Sequence, residues 1–360
     1  MRRWLTILLL GCGAAWAQPA PLNVFNWADY IDPAALERFQ AATGIRIRYD
    51  VYDSLETLEA RLSAGRSGFD VVVPTSEPSF ARLVRAGALR PLDKTLLPNL
   101  AQLDAGLMAR VAPVDPGNRH GAIYLWGTVG LGLREDRIAA LAPAAPRDSW
   151  QLLLDPAHAR RLAPCGIAVM DSATDVLPSI LRALGRPQDS AAPADLAAAE
   201  VALQAIRPHL RSIPNAASLV DALANGELCV ALTYSGDVIQ AAARAREAGR
   251  PWAISYAAPR EGVQLWFDML AIPADAPNPA AAHAFINFLL EPATMAGISN
   301  LVRYPNAVPA ARALMRPEVG QDPSVYPAAA ALAGAFLPGT PAPAVERARA
   351  RAWARFRAGR

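Results

Sequence analysis

The residues best equipped for chemistry in this chain are aspartates with aromatic neighbours, and they recur along its length. They are Trp27, Asp29 and Tyr30; Asp171 and Asp175; Tyr234 and Asp237; and Trp266 with Asp268. A pair of carboxylates stabilises an ammonium group through charge-assisted hydrogen bonds, while aromatic faces hold cationic ends and methylene chains. Carboxylates withdrawn from water without a cation are costly, so such a cluster predicts a wet, open crevice that closes when a cation fills it. Taken singly, each pair has a plain structural use, since an aspartate after a strand caps the next helix and a tryptophan fills core. Repetition at similar places in the chain favours a shared role.

Those places follow from the elements. Strand and helix patterns alternate almost from the start, which predicts an α/β protein with mainly parallel sheets. Residues 22–27 read as a strand, and Asp32 caps a helix with Pro33 at its first position and Leu36, Phe39 and Ala42 along its apolar stripe. Residues 45–51 and the uniformly apolar 69–74 are further strands, with a helix over 54–63 between them. The apolar, glycine-containing run 122–133 could cross between two parts of the molecule. Residues 166–170, 228–234, 252–258 and 264–272 are expected strands. Helices are expected over 175–184, 194–206, from Tyr234 to about 249, and over 279–290 and 292–301. The proline- and alanine-rich stretch 304–344 reads as loops with short helices. Residues 345–360 read as a basic helix with Val345, Trp353 and Phe356 on its apolar face. Most of the aspartates follow the carboxyl end of a strand, where open α/β sheets bind ligands.

The start of the chain bears on location. Arg2 and Arg3, an apolar run 4–10 and the triplet Ala15, Trp16, Ala17 form a secretory signal over residues 1–17, too short to stay as a membrane helix. A second cleavage is open at Leu9, Leu10, Gly11, Cys12, where Cys12 would carry a lipid anchor. Removing residues 1–17 takes away two arginines, so the formal charge falls from +3 to +1. No basic excess remains to bind nucleic acid. Cys165 and Cys229 are left as an isolated pair, which reads as a disulfide in an exported protein, with two buried thiols as the alternative. Closing the loop between them would constrain the unfolded chain by roughly 4 kcal/mol.

Enzyme signatures are absent. The chain has no G-x-S-x-G elbow, no phosphate loop and no H-E-x-x-H, and Gly127, Gly130 and Gly132 have the wrong spacing for a dinucleotide fingerprint. The histidines His120, His158, His209 and His283 are scattered without metal-ligand spacing, so neither a metal nor a cofactor is expected.

Several stretches carry a family likeness: NWADYIDP (26–33), FDVVVPT (69–75), RPLDK (90–94), DSW (148–150), ANGELCVAL (224–232), SGDVIQA (235–241), FDMLAIPADA (267–276) and RAWARF (351–356). Over these the chain resembles the putrescine- and spermidine-binding proteins of ABC-type polyamine importers. The resemblance implies a two-lobed type II periplasmic-binding fold, with residues 18–125 and 250–305 in one lobe and 126–249 and 306–360 in the other. It implies a monomer that catalyses nothing, captures a polyamine by domain closure and hands it to an inner-membrane permease. By position it assigns Trp27, Tyr30, Tyr234, Trp266 and Tyr304 as the aromatic box, Asp29, Asp175, Asp237 and Asp268 as the acids, Thr75 as a hydroxyl contact, and a disulfide to Cys165 and Cys229. Asp29 and Asp268 would come from one lobe, Asp175 and Asp237 from the other. The pocket departs from the family at Ala28 and Ala216, where putrescine-binding members often carry serine, at Asp175 for a longer glutamate, at Tyr234 for tryptophan and at Trp266 for phenylalanine. Other readings are an exported enzyme on the same architecture, a receptor for another organic cation or a chelated metal, and a polyamine sensor.

Overall fold

The structure is a computed structural model and describes residues 20–328, 332 and 334–359. The expected signal segment and Cys12 lie outside the described residues.

The strands are β1 (Leu22–Trp27), β2 (Ile47–Tyr52), β3 (Val71–Val72), β4 (Gly121–Arg134), β5 (Ile167–Val169), β6 (Val230–Tyr234), β7 (Ile254–Ala257) and β8 (Gln264–Ala271). They hydrogen-bond in the order β2-β1-β3-β8-β4-β6-β5, with β7 on β4. The expectation of mainly parallel pairing is overturned. β1 pairs in parallel with β2 and β3, and β5 with β6, but every pair made by β4 or β8 is antiparallel. The reason is connectivity: β4 and β8 are returning strands that join the two parallel arms.

The apolar run expected over 122–133 is that junction. One end of β4 pairs with β8 from Gly121 to Val129, and the other pairs with β6 and β7 from Val129 to Arg134. All of β4 except Arg134 is buried. β7 therefore lies with β5 and β6, on the arm opposite β1–β3.

Strand β3 is shorter than its apolar sequence suggests. The Val73 carbonyl accepts from Trp27 Nε1 at 3.1 Å and from the Tyr52 hydroxyl at 2.6 Å, and Pro74 has no N–H to offer a neighbour. Side chains have taken the group a ladder would have used. Beyond that break the chain rejoins β8 through a single bridge between Thr75 and Asp268.

The helices cover both faces. Pro33–Thr43 is capped by Asp32, whose carboxylate accepts from the Ala34 N–H, and it buries Ala35 and Phe39 against Phe285 and Phe288. The C-terminal helix Pro343–Ala358 buries Trp353 and Phe356 against the helices Ala173–Ala183 and Pro193–Ile206; Arg349 is buried with them, while Arg347, Arg351, Arg355 and Arg357 form the outer face. No single helix among the described residues is long and apolar enough to cross a membrane. Cys165 and Cys229 form a disulfide, Cα to Cα 5.5 Å, closing a 64-residue separation beside β5 and β6.

Along β8 the side chains alternate. Leu265, Phe267 and Met269 enter one buried cluster with Phe25, Phe80 and Ile123. Gln264, Trp266 and Asp268 point to the opposite face, where the candidate site lies.

Candidate ligand site at the strand ends

Three of the predicted acids converge around Trp266, each placed by a different element. Asp268 comes from β8, Asp175 from the first turn of the helix Ala173–Ala183, and Asp237 from the first turn of the helix Ser235–Glu247. Helix starts leave unpaired N–H groups and a positive dipole end, which favours carboxylates there.

Each acid is held by neutral donors. Thr75 Oγ1 donates to Asp268 Oδ1 at 2.6 Å. Asp237 accepts from the Tyr304 hydroxyl at 2.7 Å and from Thr233 Oγ1 at 3.3 Å. Asp175 accepts three bonds, from Ser172 Oγ at 2.5 Å, the Tyr234 hydroxyl at 2.7 Å and Gln264 Nε2 at 2.7 Å. None of the three forms an ion pair with a lysine or arginine among the described residues.

Burial without a cation shows in their acidities. It pushes the Asp268 carboxyl up to about 7 and that of Asp237 up to about 6, and it raises Asp175. The hydroxyl donors work against this rise, and the negative charge of Asp175 adds to it at Asp268. The tyrosine hydroxyls are held well above their usual range, first by burial and then by the adjacent carboxylates. Tyr234 and Tyr304 therefore act here as neutral hydrogen-bond donors to Asp175 and Asp237. Among the described residues no group of three or more His, Cys, Asp or Glu side chains is placed to hold a metal ion.

The aromatic residues form a connected wall. Trp266 meets Tyr304 edge-on at 5.1 Å between ring centroids and Tyr234 at 5.8 Å, and Tyr304 meets Tyr30 at 5.8 Å. Glycines permit this packing: a Cβ at Gly127 would overlap the Trp266 ring, and one at Gly236 would overlap Tyr304. Trp266, Tyr304 and Tyr30 are buried in this wall, and aromatic rings of this kind attract cations and methylene chains.

Other predicted residues are placed differently. Trp27 sits at the end of β1, half-buried, against Tyr52 at 4.6 Å and bonded to Val73. Asp29 is exposed in a left-handed turn, φ 53°, and makes no hydrogen bond or ion pair among the described residues. Asp171 serves the C-terminal helix, accepting from Trp353 Nε1 at 2.8 Å and pairing with Arg357 at 3.1 Å. Gln264, Ser172 and Thr233 were not foreseen. Gln264 was findable, because it lies two residues before Trp266 on the same strand face.

The chain is similar to known proteins over nearly its whole length. A family model described as bacterial extracellular solute-binding protein matches residues 34–328. The putrescine-binding periplasmic protein SpuD of Pseudomonas aeruginosa is 43% identical over 361 residues, covering 99% of this chain and 98% of that protein. The putrescine-binding periplasmic protein PotF of Escherichia coli is 38% identical over 367 residues, covering 100% and 99%. The solved structure of the spermidine/putrescine ABC transporter substrate-binding protein PotD from Streptococcus pneumoniae is 24% identical, with a TM-score of 0.80 over 94% of this chain and 99% of that one. That likeness shows the two-lobed α/β fold of type II periplasmic binding proteins that the sequence implied. By this extent of match, the chain belongs to the bacterial extracellular solute-binding protein family.

Proposed function

We propose that this protein is a polyamine receptor of an ABC importer that captures putrescine, spermidine or both by closing two lobes on the ligand, and that it catalyses no reaction. The observation that carries the reading is the set of buried Asp268 and half-buried Asp175 and Asp237 around Trp266, with no lysine or arginine paired to them among the described residues. Buried carboxylates favour a cation, and a flexible diammonium chain supplies two charges with methylenes to lie against aromatic faces. The relatives named above as putrescine-binding proteins support the same ligand class.

In this reading Asp268, Asp237, Asp175, Trp266, Tyr234, Tyr304, Tyr30 and Thr75 line the closed site. Trp27 and Asp29 sit at its mouth, where Asp29 is free to meet a cation as the lobes close. One lobe comprises residues 18–125 and 250–305, and the other 126–249 and 306–360. β7 is the exception and moves with the second lobe, because it pairs with β4 beside β6. Residues 1–17 direct export and are removed before Gln18, leaving a monomer in the periplasm that contacts the importer's permease and no nucleic acid.

Calorimetry with putrescine, spermidine, cadaverine and agmatine tests the ligand class on protein unfolded and refolded to remove bound amines. The reading requires saturable binding of at least one of them, and it fails if none binds.

A further inference from the structure

Gln264 is fully buried at the start of β8, on the same face as Trp266 and Asp268. Its amide orientation is fixed by chemistry. The neighbour at 2.7 Å is the Asp175 carboxylate, which only accepts, so the NH₂ group must face it. The carbonyl oxygen is thereby turned elsewhere, and Gln264 Oε1 is buried with no hydrogen-bond partner. An unpaired buried acceptor has lost its hydration without a replacement, so its presence needs a reason.

Asp175 presents the complementary case. Its two oxygens already accept from Ser172, Tyr234 and Gln264, whereas Asp268 accepts one bond, from Thr75. The carboxylate at this end of the site is largely consumed by protein donors, and the free acceptor beside it is the glutamine carbonyl.

The structure assigns to Gln264 Oε1, held in orientation by Asp175, the role of hydrogen-bond acceptor for the second polar end of the bound ligand. This rests on the proposed amine-receptor reading and deepens it. Asp268 and Asp237 take the ammonium that must be charged. The other end meets a neutral acceptor, which recognises an N–H or O–H donor and does not require full charge. Asp175 is then a positioning residue, and selectivity at this end is for a donor group over a methyl group.

Calorimetry on the unmodified protein with putrescine, 4-aminobutan-1-ol and n-butylamine reads this directly. The aminoalcohol should bind about tenfold tighter than n-butylamine, because only the amine lacking a donor leaves Oε1 unpaired. Gln264→Leu should abolish that preference and weaken putrescine about tenfold or more, while n-butylamine changes by less than about twofold. Asp175→Asn should act on the same ligands as Gln264→Leu, and the double variant should be no weaker than the worse single variant. Equal binding of the aminoalcohol and n-butylamine by the unmodified protein overturns the assignment, as does a Gln264→Leu loss that is the same for all three ligands. No binding of any amine to the unmodified protein is a different failure: it removes the receptor reading itself.

Discussion

The Tyr304 hydroxyl donates to Asp237 Oδ1 at 2.7 Å although 67 residues separate them in the chain. One side chain thus does two jobs, since its ring also packs edge-on against Trp266 and Tyr30. The hydroxyl bond lowers the Asp237 carboxyl from where burial alone would set it, near its value of about 6. In Tyr304→Phe the ring remains and the donor is lost, so the Asp237 carboxyl rises further. The pH midpoint at which ligand affinity falls should move upward by a measurable fraction of a unit, read by calorimetry across a pH series. An unmoved midpoint would mean that Asp237 does not titrate in the ligand's presence.

Gly127 and Gly236 are predicted to be intolerant of the smallest side chain. A methyl at either would overlap Trp266 or Tyr304, and overpacking of this kind costs about 1–3 kcal/mol. Gly127→Ala and Gly236→Ala should lower the thermal midpoint and ligand affinity together. Full affinity in both variants would show that the aromatic wall is not part of the site.

Asp268 separates stability from function. With one hydroxyl donor and no cation, its charge is a burden on the ligand-free fold. Asp268→Asn keeps the shape and the bond from Thr75. The variant should weaken diamine binding by roughly 2–5 kcal/mol. In the absence of ligand it should unfold at the same temperature as the parent or higher above neutral pH. Thermal unfolding with and without putrescine measures both effects, and a destabilised variant with retained affinity would reverse the argument.

Much of this site was legible because strand ends and helix starts are strongly marked. Asp32 with Pro33, the apolar run of β4 and the aspartates two or three residues beyond a strand are local signals, and each led to the expected element. Pairing direction was not legible, because the apolar sequence of β8 is the same whether its neighbour runs with it or against it. Nor was the fate of individual carboxylates. Asp171 and Asp175 stand four residues apart with similar surroundings in sequence. The structure gives one to the C-terminal helix through Trp353 and the other to Tyr234 and Gln264. Those partners lie far along the chain, and only the fold selects between them. Asp29 shows the converse: its motif reads as part of the acidic cluster, yet a left-handed turn leaves it exposed.

In the proposed receptor a ligand cation neutralises the buried Asp268 and half-buried Asp237 carboxylates, whose pKa values are raised. For Asp237 and Asp268 the sign is fixed. Their folded values, about 6 and about 7, lie above the unfolded carboxylate range, so their stabilisation of the ligand-free fold is present in acid and lost as pH rises through those values. An amine with a pKa of about 10 stays charged throughout and favours the ionised carboxylates, so binding must release protons near neutral pH. The most direct measurement is calorimetric titration of putrescine near pH 6.5 in two buffers of different ionisation enthalpy. Saturable binding with net proton release, and affinity that falls from about pH 8 to about pH 5, is the predicted result. Absence of binding, or binding with no proton exchange and no pH dependence, would contradict the account.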